Sequence, residues 1–156
     1  MQNNKLKIIG AIILGALIIL FVNKNNFLFS SHKYQNLEYN FYYDGPQDLL
    51  DNNREGKTET DGSISSTLFI FNPKDTTNNH VTIMRTIQGE KIAVDEFIKN
   101  TLSGLPYIGK KTINGVEFDC YGATDIPSVY ITTKGNLTYF IAMFNPDDIN
   151  YFGFLK

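Results

Sequence analysis

The sequence predicts an α+β fold, an antiparallel β-sheet covered by helices and preceded by one N-terminal transmembrane helix. Three observations lead there. Short runs rich in aromatic and β-branched residues recur between clusters of Gly, Pro, Asn and Asp, as sheet strands do. One segment carries Val94, Phe97, Ile98, Leu102 and Leu105 at helical spacing and reads as an amphipathic helix. Residues 8–22 form an uncharged apolar run, which reads as a membrane segment.

That run opens with Ile8, closes with Val22 and is bracketed by Lys7 and Lys24. As a helix it spans about 22 Å, short of the roughly 30 Å hydrocarbon core, so the flanking lysines snorkel or the bilayer thins. Its eleven Ile, Leu, Val and Phe residues favour insertion by on the order of 4–5 kcal/mol together. Signal peptidase wants small residues at the minus-one and minus-three positions. The stretch after Val22 supplies none and Phe29-Ser30-Ser31 is a poor substitute, so the reading is an uncleaved anchor, with cleavage and secretion as its alternative. Lys5, Lys7 and the amino terminus outweigh Lys24 and Lys33, which keeps the N-terminus cytoplasmic and puts the remainder outside. The run lacks the Gly-Phe or Gly-Met processing site and the acidic helix residue of a type IV pilin. Residues 1–33 are therefore read as anchor and stalk, with Phe27-Leu28-Phe29 suited to the membrane interface, and residues 34–156 as one soluble domain.

Within the domain, residues 37–43 alternate as a strand and stop at the turn Asp44-Gly45-Pro46. Residues 51–63, rich in Asn, Glu, Thr and Gly, read as a solvated loop. Residues 67–71 form a strand ended by Asn72-Pro73, and after a polar loop over 74–80 another runs over 81–85. Asp95 and Glu96 suit the positive start of the helix, and Gly104 with Pro106 closes it. Asn114-Gly115 marks a tight turn between a strand at 112–113 and one through 116–121. Residues 128–133 and 137–144 flank Lys134-Gly135-Asn136 as a hairpin, whose second arm is apolar on both faces, as in a covered central strand. Residues 149–155 supply a last strand.

The chemistry of the sequence is sparse. A net charge of −2, with Lys and Arg scattered, lacks the footprint of a nucleic-acid binder. The single cysteine, Cys120, permits no intramolecular disulfide and follows no lipobox; between Phe118 and Tyr121 it reads as a buried hydrophobe. His32 falls in the stalk and His80 in a loop, neither with a partner at metal-ligand spacing, so His80 reads as a solvated loop residue. Glu59-Thr60-Asp61-Gly62-Ser63 lacks the alternating ligands and closing Glu of a calcium loop and reads as a hairpin or loop tip; Asp147-Asp148 reads as a pair of acids capping a turn in solvent. Nucleophile elbows, phosphate-cradling glycine loops and paired catalytic acids are not evident. No cofactor, metal or catalytic residue is therefore expected, and the candidate contact residues for a partner are Tyr39, Tyr42, Tyr43, Tyr107 and Tyr130, drawn from an aromatic content of 13%.

The order of elements then carries a resemblance. An aromatic strand closed by a Pro turn precedes sheet strands, the helix Val94-Asp95-Glu96-Phe97-Ile98-Lys99-Asn100 and Lys111-Thr112-Ile113-Asn114-Gly115-Val116. Val129-Tyr130-Ile131-Thr132-Thr133-Lys134-Gly135-Asn136 and Tyr139-Phe140-Ile141-Ala142-Met143-Phe144 follow. Over residues 34–156 this resembles the PsbP-like family, photosystem II accessory proteins and their anchored or lipid-modified bacterial relatives. The resemblance implies an antiparallel sheet sandwiched between helices and used as a non-catalytic protein-binding or assembly module. The expected function is thus a membrane-anchored extracytoplasmic accessory module engaging a protein or envelope partner. The rival is a small extracytoplasmic ligand-binding or hydrolytic enzyme with a polar cleft near Asp119, Glu117 or His80.

Overall fold

The computed structural model describes residues 32–74, 80–123 and 126–156. The chain divides into two compact units, Met1–His32 and Lys33–Lys156, and the second holds every element below. The expected anchor over residues 8–22 lies outside the described residues; among those described, no helix is long and apolar enough to cross a membrane.

Strands β1 (Tyr34–Asn36) and β2 (Phe41–Tyr43) are followed by a short helix α1 (Gln47–Asp51), then β3 (Arg54–Glu55), β4 (Glu59–Asp61), β5 (Ile64–Phe71) and β6 (Thr82–Gly89). Helix α2 (Lys91–Thr101) leads to β7 (Tyr107–Ile113), β8 (Val116–Ala123), β9 (Ile126–Lys134) and β10 (Leu137–Met143). A 3-10 helix (Pro146–Tyr151) and β11 (Phe152–Phe154) close the chain. Every strand pairing is antiparallel. The larger sheet runs β3-β5-β6-β10-β9-β8-β7 with β4 also on β5, and a second, three-stranded sheet runs β1-β2-β11.

Because side chains alternate across a strand, each strand of the large sheet divides its residues between two faces. One face collects Phe69, Phe71, Met84, Phe118, Cys120, Tyr130, Tyr139, Ile141 and Met143, and the small sheet lays Phe41, Tyr43 and Phe152 on it. All are buried, at roughly 1.5–3 kcal/mol for each fully buried large side chain relative to exposure. The opposite face packs Val129 and Ile131 against Leu102 and Ile98. Helix α2 crosses there, with the Arg85 guanidinium 5.7 Å from the Phe97 ring. The layers are thus a small sheet, a large sheet and one helix: the expected antiparallel sheet is present, but the face expected under a second helical layer is covered by the small sheet, whose Phe41, Tyr43 and Phe152 fill it.

Several expected elements are redrawn. Of the strand expected over 37–43 only 41–43 is strand, as β2; residues 37–40 form a turn that joins it to the unforeseen β1. Asn36 Oδ1 accepts from the Tyr39 backbone N–H at 3.0 Å, and Asn40 sits at φ 53°, a left-handed conformation that Asn tolerates. Exposed though it is, the loop expected over 51–63 contributes β3 and β4, which give the β5 edge backbone partners. Leu49, fully buried, pulls the unforeseen α1 onto the core. Strand β7 begins at Tyr107 rather than Thr112, its edge marked by Lys110, Lys111 and a register shift between Tyr107 and Gly109. The last strand, expected over 149–155, is shortened to β11 because Asn145 caps the 3-10 helix, its side chain accepting from Asp147 N at 3.1 Å.

Both hairpin turns read from the sequence stand. Asn114 and Gly115 take φ 51° and 76°, as the type I′ turn between β7 and β8 requires. Gly135 opens the β9–β10 turn at φ 63°, the position that a type II′ turn reserves for glycine. Asn114 does a second job: its Nδ2 donates to Asn150 O and Phe152 O, both at 2.9 Å, clasping the hairpin to the C-terminal segment. Asn114→Gly keeps the turn conformation and removes the clasp, so it should cost about 1–2 kcal/mol in urea unfolding. A loss no larger than that of an exposed turn residue would show that the two bonds contribute nothing.

Candidate functional site

Three places on the domain carry chemistry or open surface. In the first, the 3-10 helix buries Asp148, whose side chain is 1% exposed, against His80, whose ring is 40% exposed. His80 Nδ1 lies 3.0 and 3.2 Å from the two carboxylate oxygens. An Nδ1–H that donates to Asp148 cannot also accept, so Asn145 Nδ2, 3.3 Å from the same nitrogen and itself a donor, is a close neighbour rather than a bond. Burial pushes the Asp148 carboxyl above the usual carboxylate range, with His80 pulling the other way. Sequence reasoning placed His80 and Asp148 in solvent; they form one buried-acid pair instead, because the Asn145 cap turns Asp148 inward. The signal available in the sequence was the Asn-Pro-Asp-Asp cap itself.

In the second, the large sheet splits. The β8–β9 register runs from Ala123↔Ile126 to Asp119↔Ile131 and goes no further. Residues 116–118 continue to pair with β7, and β9 beyond Ile131 continues to pair with β10. Between the diverging strands lies an open groove of about 420 Å³ lined by Val116, Glu117, Asp119, Thr132, Lys134 and Phe154, among others. The acids at its rim are engaged at the surface: Glu117 Oε1 accepts from Lys110 Nζ at 2.6 Å and Asp119 Oδ1 from the Tyr107 hydroxyl at 3.2 Å. Lys134 spans its floor, 4.5 Å from the Phe154 ring and donating to Leu155 O at 3.2 Å.

Compared with known proteins, the chain matches no family model, no curated protein and no solved structure.

The third place is the set of tyrosines. Tyr43 stacks on Phe71 with ring centroids 4.2 Å apart and meets Thr82 Oγ1 at 3.1 Å; Tyr130 donates to Pro146 O at 3.1 Å. Both are core residues, and burial pushes the Tyr130 phenol up to about 12 and raises that of Tyr43 as well, so both remain protonated at neutral pH. Tyr39 and Tyr42 are half-buried and Tyr107 is exposed beside Tyr121. The structure does not gather the five into one surface. Cys120 is buried on the aromatic face with its thiol raised by burial, and Gly62 with Ser63 turns the β4–β5 hairpin, as a loop tip does. Among the described residues no group of three or more His, Cys, Asp or Glu could hold a metal ion.

Asp148 sets a pH dependence. Its folded-state pKa is raised, so the folded protein holds the proton to higher pH than the unfolded chain, and its contribution to stability falls as pH rises from the ordinary carboxylate range through the folded value. Asp148→Asn, near-isosteric and uncharged, should therefore gain stability relative to the unaltered protein as pH climbs from about 3 to 7. Denaturant unfolding at a series of pH values reads this. A difference that is flat, or that runs in the opposite direction, would show the buried charge to be fully compensated by His80.

Proposed function

We propose that the domain is a non-catalytic extracytoplasmic binding module of PsbP-like type, held at the membrane by residues 8–22, and that it engages a protein partner through the split between β8 and β9. The split supports this reading best. Two strand edges diverge there, each paired on its outer side alone, and an extended segment satisfies such edges by main-chain hydrogen bonds. Phe154 and Ile131 offer apolar contact beside them, while Glu117, Asp119 and Lys134 vary the charge along the rim. An antiparallel sheet with a helix on one face is compatible with the PsbP-like resemblance.

His80 with Asp148 favours a second reading, a hydrolytic enzyme, since a buried carboxylate orienting a part-exposed imidazole is the base half of a nucleophilic site. The other half is wanting: among the described residues no Ser, Thr or Cys side chain hydrogen-bonds His80. The pair also has a structural role, fastening the 3-10 helix to the entry of β6.

The test uses the full chain in cells with a photo-crosslinking residue at Thr133, or at Lys99 on α2 as a control. The binding-module reading expects the domain in the membrane fraction, cleavable by external protease, with one crosslinked protein from position 133 that is absent from position 99. A domain protected from external protease, or identical adducts from both positions, would overturn it. Release into the medium with a new N-terminus between Asn23 and Lys33 would replace the anchor by secretion. Turnover of a substrate abolished by His80→Ala would establish the enzyme reading instead.

A further inference from the structure

The aromatic face of the large sheet changes character toward one end. Moving along β5, β6 and β10 from the aromatic core, the next cross-strand row places Thr67 opposite Thr86, and the row beyond it places Ser65, Gln88 and Leu137 side by side. The small sheet stops short of these rows. In its place stand the turn at residues 37–40, the segment before β4 and the β9–β10 turn, which enclose a groove of about 340 Å³ with Glu38, Tyr39, Thr58 and Asn136 on its walls.

Hydroxyls dominate its interior. Tyr39 OH lies 2.7 Å from Thr67 Oγ1 and 3.3 Å from Thr58 Oγ1, and those two threonine oxygens are 2.8 Å apart. Each hydroxyl has one proton and two lone pairs, so a closed triangle of three uses every proton once and leaves each oxygen an acceptor site; rotation of any one hydroxyl frees a donor instead. Thr67 and Thr86 are 2% and 1% exposed, and the Thr86 hydroxyl reaches no nearer acceptor than Thr67 O at 3.5 Å, beyond a good hydrogen bond. Among the described residues Ser65, Gln88, Asn136 and Glu38 have no side-chain hydrogen bond within the domain. The wall is rigid. Tyr39 O accepts from the buried Tyr139 hydroxyl at 2.6 Å, and the Tyr39 ring stands edge-on to Phe69 with centroids 5.5 Å apart, so a ligand entering here meets donors and acceptors already ordered.

We infer that this groove binds an uncharged saccharide. None of its lining residues is cationic, which leaves a phosphate or uronate without a counter-charge. Side-chain hydroxyls and amides that can each donate or accept match the vicinal hydroxyls of a sugar ring, and the two oxygens of the Glu38 carboxylate match the spacing of such a diol. Leu137 gives the C–H face of the ring an apolar wall. A peptide backbone, by contrast, finds its partners at strand edges, and this groove is floored by side chains from strands that are paired on both sides. The site is separate from the β8–β9 split and stands whether or not that split engages a protein; its extracytoplasmic setting, where glycans are at hand, rests on the proposed topology.

The full chain in nanodiscs of phosphatidylethanolamine and phosphatidylglycerol, which carry no sugar headgroups, is titrated with chitotetraose, cellotetraose and maltotetraose, and with tetragalacturonate as the charged counterpart. Saturation-transfer NMR and calorimetry should report binding of at least one neutral tetrasaccharide and none of the uronate. Thr67→Val should weaken it about five- to tenfold. Gln88→Leu, at an exposed position that leaves the core intact, should do the same, while Glu117→Gln at the split should leave it unchanged. The inference is overturned if none of the neutral sugars binds at about 10 mM, if Gln88→Leu binds as the unaltered protein does, or if the uronate binds equally well. Saccharide binding by a domain shown to face the cytoplasm would sink the topology and keep the groove; a correct topology with no binding would do the reverse.

Discussion

The fold depends on the burial of Phe152. Its ring lies within 6.0 Å of Phe41 and Phe118, 5.9 Å of Tyr139 and 5.4 Å of Phe154, so one side chain near the C-terminus joins both sheets. Its strand pairs with β2, more than a hundred positions earlier in the chain. Neither partner has a core without the other: β2 and β11 are three residues each, too short to stand without a sheet to lie on. Edge-to-face contacts among such rings add to the area they remove from water, which is why a domain with one cysteine and no disulfide can close on packing.

From that interface outward, the same sheet face is used in two ways. Where the small sheet covers it, rows such as Phe69 opposite Met84 exclude water. Where the cover ends, the rows become Thr67 with Thr86 and then Ser65 with Gln88. The alternation that buries the first set also lines the groove, with Thr67 and Thr86 at its buried floor and Ser65 and Gln88 at its open end, since residues two apart on a strand share a face. The three hydroxyls, 2.7–3.3 Å from one another, are placed by the aromatic packing beside them, through Tyr39 against Phe69.

The His80 and Asp148 pair shows the opposite economy. Burying a carboxylate is costly unless it is partnered, and here one imidazole, part-exposed, is what meets it. The pair fastens the 3-10 helix where the chain turns toward β11, and the Asn114 clasp holds Asn150 and Phe152 at the end of that helix, so two polar contacts fix the entry to the closing strand.

Much of this was legible from residues alone. Asn114-Gly115 and Gly135 announced their hairpins because only certain residues tolerate positive φ, and the helix and much of β5, β6, β8, β9 and β10 followed from their hydrophobic patterns, whereas the mostly exposed β7 did not. The turn at 37–40 was missed because Tyr39 within it and Phe41 after it mimic strand alternation, and β3 and β4 were missed because their side chains are exposed and only their backbone pairs. The five tyrosines were indistinguishable in sequence, yet Tyr43 and Tyr130 are buried while Tyr107 is not. Local chemistry, acting over a few residues, determines turns, periods and strand-forming stretches. Which hydroxyls meet, which acid is buried and where a sheet opens depend on contacts between residues tens of positions apart, and those are decided only when the aromatic faces close.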